Sequence, residues 1–417
     1  MRVLFSHINY PAQFRRLAPA LVAEGHDVVF ICRQREWHAP PADDGLRLIH
    51  YDVSRPGGSA VVHPYLRRME QAVIEGQAAY RAAAALASSG WQPDCIVNHV
   101  GYGNGLFLGD AFPQARRIGL FEWYYNAFGS DVDFLHLGSV DLDLRLKLRI
   151  WNAQLLVELA ACDQAVVPTQ WQRNQFPKAL QHRLAVIHEG VDVVHLSQLD
   201  RLNLPRPSCL PPDPNLEVLT YVSRCFEEYR GFPQAMRAIA RLQQRRPRLH
   251  VLIAGHDGVA YGATRNDGRS WGEWARHEVP IDPARTHWLG MLQDQAYWQV
   301  LAHSTVHLYL TVPFVLSWSL LEAAAAGCAL VASTTGPVLE VLEHGVSALL
   351  VDFFDPEAQA SAISTLLDSA GMRHELSRGA QAVARRYSAE KGLVSWRRLI
   401  AADADPAGDA LCQGPLT

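Results

Sequence analysis

Residues 311–333 read TVPFVLSWSLLEAAAAGCALVAS. The apolar run Val306 to Leu310 ends just before this stretch, as a short buried strand does, and a loop follows. A helix is expected from Trp318 to Ala326, and Ala329 to Ala332 begins another strand. Strand, loop, helix and strand in that order form one unit of an α/β fold with a parallel sheet. The start of such a helix offers free N–H groups and the positive end of a dipole, which suits a phosphate. Glu322, one turn inside, admits two readings. Its carboxylate accepts hydrogen bonds from a ribose diol, or Ser319-Leu320-Leu321-Glu322 is a capping box that only closes the helix start.

Outward from that segment the alternation covers nearly the whole chain. Towards the N-terminus, strands are expected at Val3-Leu4-Phe5, Val28 to Ile31, Cys95-Ile96-Val97, Ile118 to Phe121, Ala165-Val166-Val167 and Leu184 to Ile187. Nearer by, they fall at Leu216 to Val222, Leu249 to Ala254, His287 to Leu289 and Ala348 to Val351. Helices are expected at Pro233 to Arg245, Gln295 to Ala302, Pro356 to Ser369, Arg373 to Arg386 and Ser388 to Ile400. Pro205, Pro207, Pro211, Pro212 and Pro214 make a stiff connector. These signals predict an N-terminal domain over 1–205, a linker over 206–215 and a C-terminal domain over 216–387. A last helix near 388–402 would cross back to the first domain, and 403–417 would be a frayed tail. The fold class is α/β, two Rossmann-like domains whose parallel sheets face a central cleft, where open α/β sheets bind ligands.

Composition narrows the function. The chain has 417 residues, 49% hydrophobic and 19% charged, which excludes disordered and fibrous classes. Net charge is −4, so no overall basic field advertises nucleic acid. Only Lys147, Lys178 and Lys391 among the 38 basic residues are lysines, so anions would be gripped mainly by arginine. The seven cysteines are scattered and form no Cys-x-x-Cys, which points to buried thiols rather than a zinc cage or disulfide framework. The apolar run Ala323 to Ala332 is far shorter than the ~20 residues of a membrane span. With no evident signal peptide, a soluble cytoplasmic protein is expected. Tyr65-Leu66-Arg67-Arg68 and Leu144 to Arg149 are the segments suited to peripheral contact with an anionic inner-membrane face.

Arg224 and Arg230 straddle the loop after the second domain's first strand, with Gly231 next. Both guanidiniums can converge on a diphosphate, or they can pair with Glu227 and Glu228 at the surface. His99 follows a strand and precedes Gly101-Tyr102-Gly103-Asn104-Gly105, so it is either a structural histidine or a site residue. These glycines, with Glu122 further on, mimic a dinucleotide fingerprint, but Gly-x-Gly-x-x-Gly fails at Leu106 and Leu108. An NAD-linked oxidoreductase is therefore the weaker alternative. His303 and His307 lack an accompanying Glu, and no nucleophile elbow or P-loop occurs.

In this order the motifs resemble the retaining glycosyltransferases of family 4, which have the GT-B fold. The resemblance rests on Arg224, Arg230-Gly231, Leu320-Leu321-Glu322-Ala323, Gly327, Val331-Ala332-Ser333 and Ile187 to Asp192. A bacterial branch matches further at Tyr10 to Arg15, His99 to Asn104, Phe121 to Tyr125, Pro168 to Gln172 and Pro313 to Ser319. It implies transfer of a hexose-type sugar from a nucleoside diphosphate donor, such as a UDP or GDP sugar, to a glycan, lipid-linked or small-molecule acceptor. No metal or other cofactor is implied, since arginines and helix dipoles neutralise the leaving diphosphate.

By the same resemblance, Arg224 and Arg230 hold the diphosphate, and the N–H groups of Ser317, Trp318, Ser319, Leu320 and Leu321 cap it. Glu322 holds the ribose, Gln293 and Asp294 lie near the base, and His99 faces the sugar. Pro11, Ala12 and Gln13, with Glu122, approach phosphate and acceptor. Two departures stand out. Family members commonly carry a first glutamate where Phe314 stands, and a glycine where Ala12 stands. The first leaves open a non-catalytic nucleotide-sugar sensor or complex subunit.

Overall fold

The computed structural model describes residues 1–35, 45–55, 57, 61–199, 203–213 and 215–402. The chain divides into two compact units, Met1–Glu189 with the segment from Ala389, and Gly190–Ser388. In the first unit, β1 (Arg2–Ser6), α1 (Leu17–Ala23), β2 (Asp27–Cys32), β3 (Leu46–His50), α2 (Arg67–Ser88), β4 (Cys95–Val100) and β5 (Arg116–Phe121) follow in sequence. Then come α3 (Leu142–Trp151), α4 (Ala153–Ala161), β6 (Gln164–Val167), α5 (Gln170–Gln175) and β7 (Leu184–Val186). The sheet order is β3-β2-β1-β4-β5-β6-β7 and its pairings are parallel.

Both faces of this sheet are buried, which is why its strands read as continuous apolar runs. Successive side chains alternate between two cores: Val3, Phe5, Val28 and Phe30 pack on one face, and Leu4, Val29 and Ile31 on the other. The final helix, Ala389–Ala401, seals the first face with Trp396 and Ile400. Arg116 Nη1 donates to the carbonyls of Leu399 (2.7 Å) and Ala402 (2.9 Å), satisfying acceptors at that helix's end.

The second unit contains β8 (Glu217–Cys225), α6 (Phe232–Arg245), β9 (Leu249–His256), α7 (Trp271–Glu278), β10 (Thr286–Gly290), α8 (Asp294–Ala302), β11 (Val306–Tyr309), α9 (Trp318–Ala325), β12 (Leu330–Ser333) and β13 (Leu349–Val351). Helices Pro356–Asp368 and Ala370–Arg386 follow. Its parallel sheet runs β10-β9-β8-β11-β12-β13.

The division at Glu189/Gly190 corrects the boundary expected at 206–215. Val191 and Leu196 belong to the second unit's core, beside Leu320 and Leu321. The Pro-rich stretch is itself packed on that unit: Leu210 joins Val218, Leu252 and Val300, and the Leu204 carbonyl meets His303 Nε2 at 3.0 Å. Residues 200–202, Pro214 and the tail 403–417 lie outside the described residues. Five of the expected buried thiols, Cys32, Cys95, Cys162, Cys225 and Cys328, are buried. Among the described residues, no helix is long and apolar enough to cross a membrane.

Candidate functional site

In the second unit the chain reverses its order of strand addition between β8 and β11, so the switch point lies at their carboxyl ends. β8 carries a register shift between Val222 and Cys225, and a 3-10 turn, Glu228–Arg230, leads to Gly231 at φ +60°. A Cβ on Gly231 would stand 2.5 Å from Leu310 Cβ, so only glycine brings this turn against the end of β11. The turn drives Arg230 inward to 7% exposure. Its Nη1 donates to Thr311 Oγ1 (2.7 Å), the Val315 carbonyl (3.0 Å) and Tyr309 OH (3.4 Å). Its guanidinium lies 5.7 Å from the Tyr261 ring centroid. Among the described residues Arg230 forms no ion pair, an unusual state for a buried cation.

Tyr309 OH also accepts from Ser317 N (3.0 Å), which ties the Arg230 guanidinium to the start of α9. Ser317, not Ser319, is the N-cap; its Oγ accepts from Ser319 N (3.3 Å), and Leu320 N donates to the Ser317 carbonyl (3.2 Å). The capping-box alternative for Glu322 therefore fails. Glu322 Oε2 instead accepts from Tyr297 OH (3.0 Å) on α8, and burial, with Glu322 beside it, pushes that phenol well above its ordinary range. Leu320 and Leu321 are buried, so their side chains serve the core.

The two arginines do not share an environment: Arg224 is exposed on β8. Glu227 is not their surface partner either, because its buried Oε2 accepts the N–H groups of Ala260 (3.1 Å), Tyr261 (2.9 Å) and Gly262 (2.9 Å). Phe314 is buried edge-on to Tyr229, with centroids 5.2 Å apart, and 5.0 Å from Tyr261. Gln293 and Asp294 are exposed at the start of α8, and Trp318 is half-buried.

The first unit has its own polar cluster, again where strand order reverses, at the ends of β1 and β4. His99 is buried, with Nε2 3.3 Å from Glu122 Oε2. Gln13 Nε2 donates to Glu122 Oε1 (2.5 Å), and Gln172 Nε2 donates to the Glu122 carbonyl (2.6 Å). His99, Glu122 and Gln13, far apart in sequence, thus meet. Ala12, next to Pro11, has φ +46°, the left-handed region where a glycine is less strained. Sequence reading gave two participants no site role. His7 lies edge-on to His99, centroids 4.7 Å apart, and only its position just past a central strand hinted at it. Gln172 is placed by the Thr169 cap of α5, visible as Thr-x-x-Gln before a helix.

Beneath His99's strand, Glu158 on α4 is buried and accepts from Asn98 Nδ2 (2.9 Å) and Gln154 Nε2 (2.9 Å). Burial pushes its carboxyl up to about 7, against those two hydrogen bonds. A carboxyl raised in the folded state binds protons more tightly there than in the unfolded chain. Its stabilising contribution is full below the ordinary carboxylate range and is lost as pH rises through about 7. Roughly 3 kcal/mol of stability should vanish between pH ~4.5 and ~7 from this group. Urea melts of wild type and Glu158→Gln across that window check it; parallel pH slopes would refute the assignment.

Two doubly wound units, each with polar side chains gathered where its strand order reverses, define an α/β scaffold of the class that holds ligands at such points. Residues 24–196 match the family model described as "Glycosyl transferase family 4 group", and residues 217–369 match "Glycosyl transferases group 1". The chain belongs to this family of glycosyl transferases.

A D-inositol 3-phosphate glycosyltransferase of Salinispora tropica is 38% identical over 93 residues, 22% of this chain and 18% of that protein. The chain thus matches under a fifth of that curated relative's length. Sucrose-phosphate synthase from Thermosynechococcus elongatus superposes with a TM-score of 0.66 at 16% identity, covering 97% of this chain and 100% of that one. HepE from Anabaena, solved in complex with UDP and glucose, gives 0.64 at 16% identity, covering 96% and 99%. These likenesses establish the GT-B fold.

Proposed function

We propose that the protein transfers a hexose-type sugar from a nucleoside diphosphate sugar to an acceptor hydroxyl, with retention at the anomeric carbon. The observation that carries this reading is the buried Arg230 guanidinium, which has hydroxyl and carbonyl neighbours but, among the described residues, no carboxylate in ion-pair contact. A cation so placed is matched by a ligand anion, and the adjacent α9 start adds a dipole of the same sign. As the bond to the anomeric carbon breaks, charge grows on the leaving diphosphate. Arg230 and the α9 N-terminus then act as a fixed electrostatic trap. In this reading Arg224, exposed on β8, swings onto the diphosphate when donor binds, while Glu322, one oxygen held by Tyr297, takes the ribose diol. Gln293 and Asp294 border the base. His99, with Pro11, Ala12, Gln13 and Glu122, serves the sugar and acceptor.

The UDP bound by HepE makes uridine donors the first to test. Thermal melts with UDP, GDP and ADP sugars should show one base stabilising the fold by ~2.7 kcal/mol at a hundredfold excess over Kd. No stabilisation by any of them sinks the proposal. Binding without turnover of any acceptor would instead leave a nucleotide-sugar sensor, the reading that Phe314's apolar packing favours.

A further inference from the structure

One face of the first unit mixes exposed apolar side chains with cations that form no ion pair among the described residues. α3 turns Leu148 inward, and its exposed stripe carries Leu142 (63% exposed), Arg145, Leu146 (39%) and Arg149 at three- and four-residue spacing. A helix whose outer stripe met only water would not place leucines there. The start of α2 adjoins it: Tyr65 OH donates to Asp143 Oδ1 (2.6 Å), and the Arg68 guanidinium lies 4.5 Å from the Tyr125 ring and 5.1 Å from that of Trp151. Leu66 and Arg67 are exposed beside them. Phe128, 51% exposed, lies under Arg145 at 5.2 Å.

The charge on this face is unbalanced. Among the described residues, none of Arg67, Arg68, Arg145, Lys147 and Arg149 forms an ion pair. The carboxylates of the same segments are occupied. Asp141 accepts from Leu144 N (2.9 Å), Asp143 from Tyr65 OH, Asp133 from Gly129 N (2.8 Å), and Glu70 pairs with Arg55 (3.5 Å). So a chain of net charge −4 presents Arg67, Arg145 and Arg149 here without an ion pair among the described residues, interleaved with leucine and phenylalanine, while Arg68 and Lys147 lie half-buried against Trp151. Cations alone would suit any acidic polymer. Apolar side chains between them suit a surface with anionic headgroups above hydrocarbon.

We propose that this face docks on a bilayer containing anionic lipid. The test is co-sedimentation of the full chain with phosphatidylcholine vesicles, with and without added phosphatidylglycerol. Binding is expected only to the anionic vesicles and should weaken as salt is raised. Arg145→Gln with Arg149→Gln should lower partitioning about thirtyfold, two basic residues' worth. Leu142→Gln with Leu146→Gln should weaken it too, and all four positions are exposed, so melts should match wild type. Failure to bind anionic vesicles, or binding unchanged in the arginine pair, overturns the proposal. So does binding unchanged in the leucine pair, which would mark an acidic polymer site. A dimer in sedimentation that the same substitutions dissolve would assign the face to a second copy and overturn it equally.

Discussion

Replacing Arg230 by methionine should cut turnover by about 10²–10³ while leaving the ligand-free protein at least as stable as wild type. The two halves of that result come from opposite signs of one interaction. In the free protein the guanidinium is buried and, among the described residues, meets Thr311 Oγ1, Tyr309 OH, the Val315 carbonyl and the Tyr261 ring but no ion-pair partner. Those hydrogen bonds contribute about 1.5–3 kcal/mol each to a charged donor. A buried charge without a counter-ion costs several kcal/mol, the same order as those bonds together, and methionine fills much of the volume without a charge. Tyr309 OH also keeps its bond from Ser317 N, so the α9 start is not set loose. In the transition state of the proposed reaction the balance reverses, because the developing diphosphate would supply the missing anion. Arg230→Lys should recover only part of the loss, since an ammonium lacks the planar fork that spans two phosphate oxygens. Steady-state rates with the cognate donor, alongside ligand-free melts, check both halves. Wild-type turnover in Arg230→Met would remove the electrostatic role, and a collapsed melt would mean that the residue is structural.

How far this was legible from sequence depends on whether the deciding contact was local. β4 and β9 could be found because strands covered on both faces read as unbroken apolar runs, and Gly231 because a turn preceding a helix requires it. The difference between Arg224 and Arg230, only six residues apart, was not legible. It follows from the register shift in β8 and the 3-10 turn after it, and neither leaves a mark on residue type. Ser317 and Ser319 are equally good caps by composition, and Tyr309, eight residues before Ser317, decides between them by bonding its N–H. Glu322 gave two readings for a similar reason: its partner Tyr297 arrives from another helix, 25 residues away. His7 and His99 stand 92 positions apart and meet only because β1 and β4 are neighbours in the sheet.

Gly103 shows the same lesson acting in reverse, and its substitution should produce the largest loss of stability. The spacing Gly101, Gly103, Gly105 resembles a nucleotide fingerprint, yet Gly103 and Gly105 are explained by packing and Gly101 by its left-handed backbone. Gly103 has φ +95°, and a Cβ there would overlap the backbone O and Cα of Ala72 on α2. A helix backbone cannot swing aside as a side chain can, so Gly103→Ala must displace either α2 or the loop that carries Tyr102. Left-handed backbone costs ~1–2 kcal/mol and forced overpacking ~1–3 kcal/mol or more. Together they predict a loss of about 2–5 kcal/mol, roughly 10 °C in melting temperature for a unit of this size. Gly101→Ala is the control. Gly101 is also left-handed, at φ +130°, but its Cβ would meet nothing within 4 Å, so only the backbone cost applies. Because Tyr102 stacks on His99 with centroids 5.4 Å apart, the shift should also reach the His99–Glu122 pair and lower activity in molecules that still fold. If Gly103→Ala melts no lower than Gly101→Ala, α2 does not press on this loop. The glycine spacing would then need a ligand, not packing, to explain it.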